Sequence, residues 1–167
     1  NATSTDEPTG VSTSVTTTAD GYRWKYMYTL SAAQHASFLS VDFMAVSPNS
    51  SPGSDQSNVI SAAVDGSIDV IKIKSAGSGG TNGTHTNIPI RGDGTGGVCS
   101  VTVSGGAVTA VSVTNAGSGY TFATVSNAQI VAAGATSLAG AELDVIIPPK
   151  GGHGANAREE LGGFFVM

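Results

Sequence analysis

Asp69–Gly80 reads DVIKIKSAGSGG and, forty residues on, Thr109–Tyr120 reads TAVSVTNAGSGY. Both begin with apolar side chains at alternate positions, the period of a strand with one buried face. Both then run into AGSG, where glycine accepts a positive φ that alanine or serine would adopt only with strain. Gly77, Gly79, Gly117 and Gly119 therefore read as turn-makers, and the recurrence reads as a duplicated β unit. Between the copies, Ser104-Gly105-Gly106-Ala107 predicts a hairpin turn joining Val101–Val103 to Val108–Val113.

Working outward, the β-branched runs Val59–Val64, Ile68–Lys74, Val98–Val103, Ala107–Thr114, Ala128–Ala132 and Ala141–Ile147 are predicted strands. Two copies are too few for a solenoid to bury its faces. The expected fold is all-β, β-sandwich-like, with glycine-turn hairpin repeats. In the preceding region, Gly21–Leu30 (GYRWKYMYTL) places Tyr22, Trp24, Tyr26 and Tyr28 on one strand face and Arg23, Lys25, Met27 and Thr29 on the other. Ser31 caps a single short helix over about residues 32–39, Val41–Val46 reads as a strand, and Ser47–Asn58 as a loop. The organisation expected is an extended Thr/Ser-rich arm over 1–19, a core segment formed by 20–58 with 148–167, and a glycine-turn lobe over 59–147. The chain starts at Asn1 and stops on the apolar run Phe164–Met167, which reads as a fragment of something longer.

Composition narrows the function classes. Charged residues make up 11% of the 167 and hydrophobic residues 40%, so the surface is built from Ser, Thr, Asn and Gly. Such a surface repels a neighbour weakly and suits assembly. The seven basic residues are scattered and the net charge is −5, against nucleic acid as a partner. No apolar stretch approaches the length needed to span a bilayer, so no membrane partner is expected either. The single cysteine, Cys99, excludes an internal disulfide and reads as a small buried hydrophobe.

Chemistry-bearing patterns are weak. Gly92-x-Gly94-x-Gly96-Gly97 has the letters of a dinucleotide fingerprint, but the β-forming VCSVTV follows it instead of a helix. His35, His85 and His153 lack metal-ligand spacing, the serines lack a nucleophile elbow, and Glu159-Glu160 beside Arg158 reads as a solvated turn. Arg91-Gly92-Asp93 and three N-glycosylation sequons are short enough to arise by chance. The sequence predicts no catalytic residue, no metal and no cofactor, and a protein that is not an enzyme.

Two flanking motifs carry a resemblance. Asp20-GYRWKYMYTL resembles the DGYxWKYLYxI stretch of baseplate wedge proteins of contractile-tailed phages, particularly those of the marine cyanobacterial type. Pro148–Met167 (PPKGGHGANAREELGGFFVM) is similar to the PxGGHGxxxxxELGxxxVM ending of the same proteins, and Gly105–Thr121 looks like a glycine-turn repeat common in virion proteins. The resemblance implies a β-sandwich subunit, commonly dimeric, that helps join wedge proteins around the tail hub without catalysis or a cofactor. The departure is Gly79-Gly80, which stands where the second copy has Gly119-Tyr120. The expectation is a virion structural protein of the tail baseplate, assembled in the host cytoplasm, a homo-oligomer contacting other baseplate subunits through Tyr22, Trp24, Tyr26, Tyr28, Phe164 and Phe165. The alternatives are a receptor- or carbohydrate-binding tail module and a self-assembling extracellular filament or surface-layer protein.

Overall fold

Short β-branched runs broken by glycine build antiparallel sheets throughout, and the fold is all-β, with only 16% of residues helical. The computed structural model describes residues 3–163. In chain order the elements are β1 (Thr16–Thr17), β2 (Arg23–Trp24), α1 (Ala32–Phe38), α2 (Ser54–Ala62), β3 (Val70–Ser78), β4 (Gly83–Pro89), β5 (Arg91–Gly92), β6 (Val98–Ser104), β7 (Ala107–Asn115), β8 (Ala123–Thr124), α3 (Asn127–Ala132), β9 (Ala139–Ile146) and α4 (Ala157–Glu160). They fall into two units. One is the lobe Asp65–Lys150; the other is the chain up to Val64 together with the segment from Gly151.

The lobe carries a true core. Antiparallel β4–β6–β7 and antiparallel β3–β9 turn Ile71, Ile88, Cys99, Val101, Val103, Val108, Val111 and Val145 onto a common cluster with Ile68, Ile130 and Leu138. Cross-strand partners are apolar pairs: Val101 faces Val111, Cys99 faces Val113 and Ile71 faces Val145. The β6–β7 turn has Gly105 at φ 62° and Gly106 at φ 79°, the double left-handed requirement of a type I′ hairpin. Burial pushes the Cys99 thiol up to about 11, so it stays protonated and inert.

The AGSG motifs do something other than reverse the chain. Gly77, Gly79, Gly117 and Gly119 all have positive φ, at 67°, 78°, 64° and 74°. The first motif, however, lies largely inside β3, with Ser78 paired to Ala139, and the second continues past β7 into a bridge between Ser118 and Thr95. A Cβ on Gly77 would sit 2.7 Å from both Ala139 O and Ala141 N, and one on Gly117 would strike Thr95 O and lie 2.6 Å from Gly97 N. These glycines let one backbone lie against another.

Several predicted elements are corrected. Val59–Val64 is no strand, and the second half of the Ser47–Asn58 loop is helical: α2 starts after Gly53 and buries Gln56 and Val59, three apart on one helical face. Ala128–Ala132 belongs to α3, where Ser126 accepts from Gln129 N and the Gln129 side chain accepts from Ser126 N, a reciprocal capping box that starts a helix. Val41–Val46 is not a strand either, because the Ser40 hydroxyl accepts from the amides of Asp42 and Phe43 and bends the chain. Of Gly21–Leu30 only Arg23–Trp24 is strand, since its partner among the described residues, Thr16–Thr17, is two residues long. The single expected helix does form, over Ala32–Phe38, but α2, α3 and α4 join it. A strand absent from the sequence reading, β4, is disguised by Pro89 and by a register break at Asn87, whose φ is 59°.

The glycine geometry predicts graded losses of stability. Gly105→Ala, with open space around its Cβ, should cost about 1 kcal/mol from φ alone. Gly117→Ala adds backbone collisions and should cost about 3 kcal/mol or more. Urea midpoints of the two variants check the order.

Candidate subunit-contact surface

The unit formed by the chain up to Val64 and from Gly151 is held by polar ties more than by a core. Among its described hydrophobic residues, those buried are Val59 and Ala157. The Asp20 carboxylate gathers five donors, the hydroxyls of Ser4 and Thr18 and the amides of Thr5, Asp6 and Tyr22, while Asp6 accepts from Asp20 N at 3.1 Å. Its carboxyl is held well below the usual range, first by Ser4 and then by Thr18. Residues 4–6, within the stretch read as an extended arm, are thereby tied to the loop that starts the aromatic segment.

That segment lines a groove of about 370 Å³ with Trp24, Lys25, Tyr26, Met27 and Tyr28, walled further by Pro8, Leu30, Met44 and Leu161. Lys25 and Met27 share the groove with the aromatic side chains, so the two-face alternation expected of Tyr22–Tyr28 does not hold past Trp24. Without a longer strand beside it, nothing imposes the pleat. The polar tips are all anchored: Trp24 Nε1 donates to Thr18 Oγ1 (3.2 Å), the Tyr26 hydroxyl meets Thr29 Oγ1 (2.6 Å), and the Tyr28 hydroxyl donates to Ala45 O (2.7 Å). Burial raises the Tyr28 hydroxyl's pKa. Tyr22, 37% exposed, tilts against Trp24 with ring centres 6.3 Å apart. Phe164 and Phe165 lie outside the described residues.

Beside the groove is a feature the sequence reading passed over. Phe38, Leu39, Val41, Phe43 and Met44 are all exposed, Val41 completely and both phenylalanines by more than 60%. They start at the last residue of α1, a helix that buries none of its residues although Ser31 and Gln34 cap it well. Met44 belongs both to this run and to the groove wall, making the two one apolar surface. No protein-family model, curated protein or solved structure matches this chain.

The remaining polar positions have structural partners. His153 Nδ1 meets Glu160 Oε1 at 2.5 Å and Gly154 N donates to Glu160 Oε2 at 2.8 Å, which fastens the GGHG turn to α4. Glu160 is thus an anchor, where the sequence suggested a solvated turn. His35 sits exposed on α1, and His85 is buried in the lobe with Nε2 2.9 Å from Thr81 O. In the fingerprint-like run, Gly94 and Gly97 lie against the Tyr120 ring and Gly92 against Phe122 O. Among the described residues, no three His, Cys, Asp or Glu side chains cluster as a metal site would require, and no helix is long and apolar enough to cross a membrane.

Asp93 closes a loop of the lobe, accepting from the amides of Thr121 (2.9 Å) and Phe122 (3.1 Å) and from the Thr121 hydroxyl. These bonds, the hydroxyl's foremost, hold its carboxyl down at about 2. A lowered carboxyl stabilises fully above its free value of 3.8 and loses that contribution as pH falls through about 2. Asp93→Asn should therefore weaken the lobe at neutral pH and flatten its stability change between about pH 4 and pH 2. Circular dichroism melts across that range test the slope.

Proposed function

We propose that this chain is a structural subunit of a virion tail, of the baseplate-wedge kind found in contractile-tailed phages, and that it works by adhesion to other subunits without catalysis. The carrying observation is the apolar surface of residues 38–44. Two phenylalanines more than half exposed offer on the order of 250 Å². With Leu39, Val41 and Met44 the patch reaches on the order of 500 Å², the size of the largest apolar patch on a typical soluble monomer, which is often a functional surface. Asp42 is its only charged residue, so little desolvation opposes docking.

The unit's composition supports the same reading. A groove rich in Trp, Tyr and Met is the chemistry of interface anchors, and their anchored polar tips hold the rings in place for a partner. The DGYRWKYMYTL and GGHG motifs, whose resemblance to wedge proteins suggests the family, both fall in this unit. The partners proposed are baseplate neighbours and further copies of the chain, and the location is the tail end of the particle.

Phe38→Ser/Val41→Ser/Phe43→Ser should abolish association in sedimentation experiments while Cys99 stays as resistant to thiol reagents as in the parent chain. The Trp24→Ala/Tyr26→Ala pair should weaken association in the same assay. Unchanged association in both would sink the assignment, as would specific glycan binding by the unassembled chain. Antibody labelling of purified particles should mark the tail end.

A further inference from the structure

The forty-residue spacing of the AGSG motif continues in three dimensions as an exchange of strands. The first copy supplies β3, β4 and β6 in order; the second supplies β7, α3 and β9. Each first strand pairs with the other copy's last strand, β3 with β9 and β7 with β6. The registers coincide once the last strands, and with them Gly94 and Leu138, are matched at a spacing of 44 residues, four more than the first strands: Ile71, Ile73 and Ser75 face Val145, Leu143 and Glu142, while Val111, Val113 and Asn115 face Val101, Cys99 and Val98. Both ladders skip one residue at the equivalent place, Lys74 in one and Thr114 in the other. Lys74 there bonds Glu142 at 3.0 Å, and the Thr114 hydroxyl donates to Val98 O at 3.1 Å.

The contacts between copies are reciprocal as well. A Cβ on Gly66 would meet Gly119 C at 2.6 Å and Tyr120 N; a Cβ on Gly106 would meet Gly79 N at 3.2 Å and Gly80 N at 3.8 Å. Gly66 and Gly106 are one repeat apart, as are Gly79-Gly80 and Gly119-Tyr120. We infer that the lobe is a dimer fused into one chain, in which the first copy presents sockets and the second presents plugs, so that each copy's surface fits only the other.

Side-chain sizes carry the second half of that inference. In one ladder Tyr120 of the second copy covers Gly94 of the first, where a Cβ would lie 2.5 Å from the ring. In the other ladder Leu138 of the second copy covers Gly80 of the first, where a Cβ would lie 3.0 Å from Leu138 Cδ1. Neither Gly80 nor Gly94 has a positive φ, so space accounts for them and conformation does not. Two first copies paired together would leave two cavities, and two second copies would collide, Tyr120 against Leu138. The asymmetry works by excluding the like pair.

A size exchange in the full chain tests this, with the labelling rate of buried Cys99 and the urea midpoint as readouts. Leu138→Gly and Gly80→Leu should each raise the labelling rate about tenfold or more. Gly80→Leu/Leu138→Gly, which moves the plug to the other side of the same contact, should recover at least about half of the lost midpoint. The mismatched pair Gly94→Leu/Leu138→Gly should recover none. Where Gly80→Leu prevents folding, Gly80→Ala with Leu138→Ala is read by the same criteria. Additive losses in the matched pair, or equal recovery in the mismatched one, would overturn the plug-and-socket assignment.

Discussion

Backbone laid directly on backbone is the constraint from which the rest of the lobe follows. At Gly77 and Gly117 one chain crosses another too closely for any Cβ, and both glycines hold a φ that other residues resist. With those crossings made, the paired strands bring Val101, Val111, Ile71 and Val145 inward together, and the core closes around Cys99. A substitution at a crossing shifts two strands at once, whereas the hairpin glycine at 105 faces open space.

The other unit is stabilised differently. It has little buried hydrocarbon, so its order rests on carboxylates that collect donors: Asp20 for the amino-terminal stretch, Glu160 for the GGHG turn. Such ties fix geometry but contribute modestly to free energy when exposed to water. A unit built this way gains from burying Phe38 and Phe43 against a neighbour.

The fold was legible in sequence where side chains are half buried and alternate, as in Ala107–Thr114, and where glycine punctuates. It was illegible where the same residue types serve either structure. Val59 and Ile60 suit a strand or a helix, and only the buried Gln56–Val59 spacing decides for α2. For α3 the deciding signal was present but unused: Ser126 and Gln129 stand at capping-box spacing, whereas the corresponding Thr86 and Pro89 of the first copy offer no such pair, and that segment is β4. At the candidate contact surface, Trp24, Tyr26 and Tyr28 stood out as large aromatics, but the exposure of residues 38–44 did not, because an apolar run is ordinarily read as interior. The His153–Glu160 contact depends on a loop doubling back, which no spacing rule encodes.

Within the lobe, entry and exit lie side by side, since Val70 near its start pairs with Ile146 near its end. In the host unit, a Cβ on Gly152 would meet Val64 N at 2.7 Å, so the host's two chain ends also adjoin. A guest whose ends adjoin and a host whose ends adjoin meet the geometric requirement of a cassette, in which one domain is spliced into another without stretching the scaffold.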